Sequence, residues 1–189
     1  MATSHATVDG TPKPLGKDEV VAAVLVAAGE LFAEKGPAAT SIREVAARAG
    51  VNHGLLHRHF GSKRRLLAAT LQQLADSAMA LRESGASLEQ LEAAHERQLR
   101  VMVRSTLDGF PIAELQQRYP GMEWFLEQVR PGHSDQRQAR LSAAHAMALQ
   151  FGWGLIGPTL RVAFGLQDLS DTQIREAVTE QIAKIVAPQ

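Results

Sequence analysis

The chain has 189 residues, of which 45% are hydrophobic and 21% charged, with 20 basic and 20 acidic side chains and no cysteine. Zero cysteines exclude a disulfide framework, a cysteine-ligated zinc site and a cysteine nucleophile. Zero net charge argues against a nucleic-acid coat protein or a polybasic membrane binder.

No run of about 18 apolar residues occurs, and Met1 to Gly16 lacks the apolar core of a secretory signal. A cytoplasmic protein without a membrane partner is therefore expected. Residues 1–16, rich in Thr, Pro, Gly and Ser, read as a disordered tail. Apolar residues then recur at three- and four-residue steps, from Val20/Val21 through Val24/Leu25 and Ala27/Ala28 to Leu31/Phe32. That spacing predicts a helix over 17–35, stopped by Gly36-Pro37. Ser41 and Glu44 fit a capping box that opens a short helix. Its buried stripe is Ile42, Val45, Ala46 and Ala49, and Gly50 breaks it. Asn52 can cap a third helix, roughly 53–59, and Ser62 a fourth, 63–83. Two short helices separated by Ala49-Gly50-Val51 have helix-turn-helix spacing.

The remainder also reads as helical, with no strand alternation longer than a few residues and no internal repeat. Ser87 and Gln90 fit a second capping box, opening a helix to about Leu107. Pro111 and Pro120-Gly121 punctuate two shorter helices. A long apolar helix begins near Ser134 and runs towards Phe164, with loosening expected around Gly152, Gly154, Gly157 and Pro158. Ser170 and Gln173 cap the last helix. The fold class is all-α, with about nine helices.

Residues 40–67, TSIREVAARAGVNHGLLHRHFGSKRRLL, follow a first helix that ends in Leu31-Phe32-Ala33-Glu34-Lys35-Gly36. With Ile42, Val45-Ala46, Ala49-Gly50-Val51, Gly54, His59-Phe60, Ser62-Lys63 and Leu66-Leu67 in that order, residues 17–70 resemble the DNA-binding domain of the TetR family of bacterial transcriptional regulators. The resemblance implies a three-helix DNA-binding domain over 17–62 and a helical ligand-binding and dimerisation domain over 63–189. In the family pattern a tyrosine is common where His57 stands and an acidic residue where Arg65 stands.

Charge agrees with this reading. Residues 40–66 hold Arg43, Arg48, Arg58, Lys63, Arg64 and Arg65 against Glu44 alone, a local +5. Residues 1–70 carry nine basic and six acidic side chains, and residues 71–189 eleven and fourteen, so +3 is offset by −3. Double-stranded DNA is the expected partner. Thr40, Ser41, Arg43, Asn52, His53, Leu55, His57, Arg58, His59, Lys63 and Arg64 are the candidate contacts. The start of a recognition helix reads base edges. Arg58 can hold either a guanine or a phosphate, and Leu55 can meet a thymine methyl. His53 and His57 have metal-ligand spacing, but no third ligand accompanies them, so no metal and no cofactor are expected.

Residues 71–189 contain no Gly-rich phosphate loop, G-x-S-x-G elbow or H-E-x-x-H motif. An α-helical enzyme with an incidental basic face is the alternative this absence disfavours. A DNA-binding protein with no small ligand is another. The resemblance implies an effector pocket, for which Leu99, Met102, Val103, Thr106, Trp124, Phe125, His145 and Met147 are candidates, with His95 and Arg104 as further polar groups. The same large side chains would serve equally as ordinary core. It also implies homodimerisation through the last two helices. Leu141, Ala144, Ala148, Phe151 and Leu155 form a stripe on one, and Ile174, Val178 and Ile182 on the other. Either stripe could instead face its own core. Together these features point to a homodimeric repressor of a palindromic operator, released by a small apolar or amphipathic effector molecule.

Overall fold

The structure, a computed structural model, describes residues 16–187. The expected tail therefore lies, apart from Gly16, outside the described residues. In chain order the elements are α1 (Lys17–Lys35), α2 (Ile42–Arg48), α3 (His53–Phe60), α4 (Lys63–Glu83), α5 (Leu88–Leu107), α6 (Ile112–Leu115), α7 (Pro120–Val129), a 3-10 turn (Arg130–Gly132), α8 (Gln136–Ala163) and α9 (Asp171–Val186). Among the described residues there is no strand, and no helix is long and apolar enough to cross a membrane.

Local chemistry sets most helix starts. The Ser41, Ser62, Ser87 and Ser170 hydroxyls each accept a backbone N–H from the first turn of the helix they precede. Glu44, Gln90 and Gln173 close the reciprocal bonds, so all three expected capping boxes form. The start of α8 differs slightly from expectation. Asp135, not Ser134, is its N-cap and accepts from the Arg137 N–H at 3.1 Å. The loosening expected in α8 is also absent, since the helix runs unbroken through Gly152, Gly154, Gly157 and Pro158. A Cβ on Gly154 would stand 3.2 Å from Leu99 Cδ2, and Gly157 is buried.

The main core joins Val24, Ala28, Leu31 and Phe32 of α1 to Val45 and Ala46 of α2, Leu56 of α3, and Leu66, Leu67 and Leu71 of α4. Phe32, Leu66, Leu67 and Leu71 are fully buried, worth about 1.5–3 kcal/mol each. The core does not stop at residue 62. Val101 of α5 is buried in it, and Phe110, Ile112 and Leu115 pack on its edge. The helix-turn-helix thus shares one apolar interior with α4 and α5. The reason is the length of α1, whose buried faces are covered by α4 and α5 as well as by α2.

The turn between α1 and α2 ties these helices together. Gly36 has φ 82° and ψ 160°, a region open essentially to glycine alone. Its carbonyl accepts from the Thr40 hydroxyl at 2.7 Å. Asp108, just past α5, accepts the Ala38 N–H at 2.7 Å. Lys63, at the start of α4, donates to the Pro37 carbonyl at 2.8 Å and to that of Ala38 at 3.3 Å. A Cβ on Gly36 would stand 2.7 Å from Asp108 Oδ2. Gly36→Ala should therefore cost roughly 1–3 kcal/mol in urea unfolding. The cost should shrink in an Asp108→Ala background, where only the backbone strain remains.

Glu44 adds an acid-sensitive contact beside this turn. Hydrogen bonds from Lys35, the Ser41 N–H and the Ser41 hydroxyl lower its pKa from 4.5 to about 2. The stability it contributes is present above pH 4.5 and fades as pH falls from there towards 2. In Glu44→Gln, the fall in the urea midpoint across that window should be smaller than in the parent chain.

Candidate DNA-binding face and helical cavity

The turn between α2 and α3 is a Schellman arrangement. Gly50 lies at φ 65°, its N–H donates to Ala47, and the Val51 N–H donates to Ala46. A glycine adopts that positive φ without steric cost. Asn52 caps α3 by accepting the Gly54 N–H at 2.8 Å. A Cβ on Gly54 would lie 3.2 Å from the Asn52 carboxamide oxygen, so the glycine makes room for its own cap. Leu56 is buried beneath α3, while Ile42, Val51 and Phe60 pack around it half-buried. These contacts hold α3 against α2 and α4 and leave its outer face open.

That outer face carries most, but not all, of the expected contacts. Ser41, Arg43, Asn52, His53, His57, Arg58 and Arg64 are exposed. Thr40 is not: it is 1% exposed, with its hydroxyl given to Gly36. The side chain therefore belongs to the α1–α2 turn, and its place among the expected DNA contacts is corrected. Leu55 is half-buried and packs on the core, so its methyls are only partly available to a thymine. His59 is half-buried as well. Lys63 is half-buried, and its ammonium is held by two backbone carbonyls. Those bonds leave its charge uncancelled.

The local +5 is partly spent inside the molecule. Arg48 bonds Glu30 and Glu34 at 3.2 Å each, and those carboxylates raise its pKa. Arg64 reaches Glu114 at 3.1 Å. Among the described residues, no carboxylate pairs with Arg43, Arg58 or Arg65. Arg65 does not complete the cap with Ser62, which accepts only its backbone N–H. Unpaired guanidiniums near exposed Asn and His side chains can meet phosphates and base edges without first breaking an internal ion pair.

A second site lies between α4, α5, α7 and α8. A cavity of about 250 Å³ is walled by Met79 and Arg82 of α4, His95, Leu99 and Met102 of α5, Trp124 and Phe125 of α7, and Met147 and Phe151 of α8, with Tyr119 at its edge. Five of the expected pocket residues are therefore brought together: Leu99, Met102, Trp124, Phe125 and Met147. Val103, Thr106 and His145 do not line it. Val103 points about 100° round the helix from Met102. Thr106 lies a turn beyond, exposed, with its hydroxyl bonded to the Met102 carbonyl. His145 is two residues from Met147, on the opposite and exposed face. Arg104 is likewise exposed and outside the lining.

Sequence reasoning missed Met79, Arg82, Tyr119 and Met122 in this lining. A weak signal existed, because the chain has only five methionines and four of them meet here. Phe151, expected at a dimer interface, is half-buried in the cavity wall instead. Leu141, Ala144, Ala148 and Leu155 are exposed on α8. Val162 and Phe164, further along, are 66% and 73% exposed. Ile174, Val178 and Ile182 are half-buried on α9, whose principal neighbour is α8.

An open recognition helix on a rigid three-helix base, joined through α4 and α5 to a helical body with a cavity, defines a helix-turn-helix transcriptional regulator. The sequence model of "Bacterial regulatory proteins, tetR family" matches residues 24–70. The chain is 47% identical over 188 residues to the HTH-type transcriptional repressor Rv3405c of Mycobacterium tuberculosis (strain ATCC 25618 / H37Rv), covering 100% of both chains. It belongs to the tetR family.

Solved structures agree on the fold. A transcriptional regulator from Rhodococcus sp. Rha1 superposes with TM-score 0.56 at 25% identity, over 91% of this chain and 96% of that one. A regulator from Aquifex aeolicus VF5 gives 0.54 at 17% identity, over 88% and 99%.

The two cationic roles on the DNA-binding side are separable. Lys63→Met should lower the unfolding free energy by about 1–3 kcal/mol, because the carbonyls of Pro37 and Ala38 lose a charged donor. Arg58→Ala should stay within about 0.5 kcal/mol of the parent in the same urea titration.

Proposed function

We propose that the chain is an effector-responsive repressor that binds a palindromic operator as a homodimer. The observation that carries the reading is the exposed face of α3. It presents Asn52, His53, His57 and Arg58, with Arg43 beside them and no carboxylate paired to either arginine among the described residues. A relative identical at 47% of positions over its full length bears the name of a repressor, which supports the sign of the regulation.

Dimerisation follows from the reach of one recognition helix, which reads only a few base pairs. Two copies related by a two-fold axis double the contacts and select a palindrome. The surface proposed for pairing is the exposed side of α8, where Leu141, Ala144, Ala148 and Leu155 lie on one stripe. Its small residues let two helices approach closely.

Release by an effector needs two body shapes that hold the α3 helices at different separations. A ligand that prefers one shape shifts the population by no more than its differential affinity. Two helices supply the route. α4 carries Met79 and Arg82 into the cavity and Lys63 to the α1–α2 turn. α5 carries His95, Leu99 and Met102 into the cavity and leads to Asp108, which holds the same turn.

Selection of bound fragments from the source genome should return a palindrome, with half-sites about one helical turn apart, roughly 34–36 Å. On that fragment, Arg58→Glu should weaken binding and, if a phosphate contact is lost, reduce the salt slope by about one. Parent-like gel shifts for both Arg58→Glu and Arg43→Glu would overturn the reading.

A further inference from the structure

The lining of the cavity is uneven in charge. It holds two carboxylates, and both are committed elsewhere. Glu92 pairs with Arg175 of α9 at 2.9 Å, and Glu96 with Arg100, one turn along α5, at 2.6 Å. Arg82 has no such partner. Its guanidinium lies over the Trp124 ring, 4.3 Å from the centroid, and no carboxylate pairs with it among the described residues. α7 and α8 contribute no charged side chain to the lining. Arg82 is thus a half-buried cation on a mostly apolar wall, oriented by a ring that leaves its N–H edge free.

A second donor stands near it. His95 of α5 is half-buried in the same wall. Burial, and then the positive charge of Arg82, hold its pKa below the ordinary histidine value. A neutral imidazole can donate one N–H without adding to the cost of the buried charge. The rest of the wall is soft. Every methionine after Met1 lines this space, namely Met79, Met102, Met122 and Met147. Flexible thioethers adapt to an apolar body of variable shape.

We propose that the effector is a small organic anion, its apolar body among the methionines and its acidic head on the Arg82 guanidinium with His95 as second donor. The anion supplies the charge that Arg82 lacks, so the pair forms in a place of low dielectric without displacing an existing bridge. The aromatic face of Trp124 keeps the guanidinium plane oriented for a two-pronged contact. This assignment rests on the effector reading above and specifies its chemistry.

A head-group series tests it on the purified full chain. Octanoate, octanol and octyltrimethylammonium share one tail, and binding is read by tryptophan fluorescence and thermal shift. Octanoate should bind about ten- to a hundredfold tighter than octanol, the scale of a charge-assisted hydrogen bond. The ammonium should bind most weakly. Arg82→Gln should bring octanoate down to the level of octanol and leave octanol unchanged.

Equal or tighter binding of octanol or the ammonium overturns the anion assignment and leaves effector control standing. So does a carboxylate preference that survives in Arg82→Gln. If no probe binds, the anion assignment falls. Octanoate that binds in the predicted order, yet does not change affinity for the selected operator fragment, upholds the anion site and overturns effector control. The series on the parent chain decides the matter even if Arg82→Gln fails to fold.

Discussion

The turn at Gly36 is the constraint on which the rest of the molecule depends. Four helices meet there: α1 ends in it, α2 leaves it, α4 is bonded to it through Lys63, and Asp108 brings the end of α5. The backbone conformation requires glycine, and the space above it belongs to the Asp108 carboxylate. Each bond is individually modest, about 0.5–3 kcal/mol. Together they orient the helix-turn-helix relative to the body before any ligand is involved. A flexible hinge at this place would let α3 wander without affecting the cavity. With the turn pinned, the same two helices, α4 and α5, both wall the cavity and hold the base of the helix-turn-helix.

Electrostatics play two distinct parts. Near α3, half of the obvious cations do structural work. Arg48 fastens α2 to α1 through Glu30 and Glu34, Arg64 is bonded to Glu114, and Lys63 serves backbone carbonyls. The cations left over, Arg43, Arg58 and Arg65, are exposed. In the body, the two carboxylates of the cavity lining are paired elsewhere, and Arg82 lies over the Trp124 ring instead of in an ion pair. A sum of formal charges sees neither arrangement.

Much of the fold was legible in the residues. The Ser41–Glu44, Ser87–Gln90 and Ser170–Gln173 pairs marked helix starts because capping is local chemistry. Gly50 marked the turn because a Schellman ending favours positive φ. What escaped was set by contacts between distant segments. Thr40 looks like a surface hydroxyl until the Gly36 carbonyl is seen above it. Leu55 and Leu56 are indistinguishable by type, yet one sits at the edge of the core and the other beneath the helix. Asp108 carried no signal at all, since its partner is 70 residues away. Five of eight proposed pocket residues do line the cavity. Helical periodicity fixes which face a residue occupies, but not how far along the helix the cavity extends.

One feature of α8 changes how the body must be imagined in motion. Its second half contains Gly152, Gly154, Gly157 and Pro158, yet the helix does not break. In an isolated peptide these residues would cost roughly 1 kcal/mol per glycine and 3 for the proline relative to alanine. The helix therefore continues through a stretch whose own residues favour it poorly. Amide hydrogens there should exchange through small local openings well before those of α1 or α4, which are rich in residues that favour helix. Phe151 and Gly154 border the cavity in this same stretch. The wall of the cavity on α8 is thus built on backbone whose own residues favour the helix poorly.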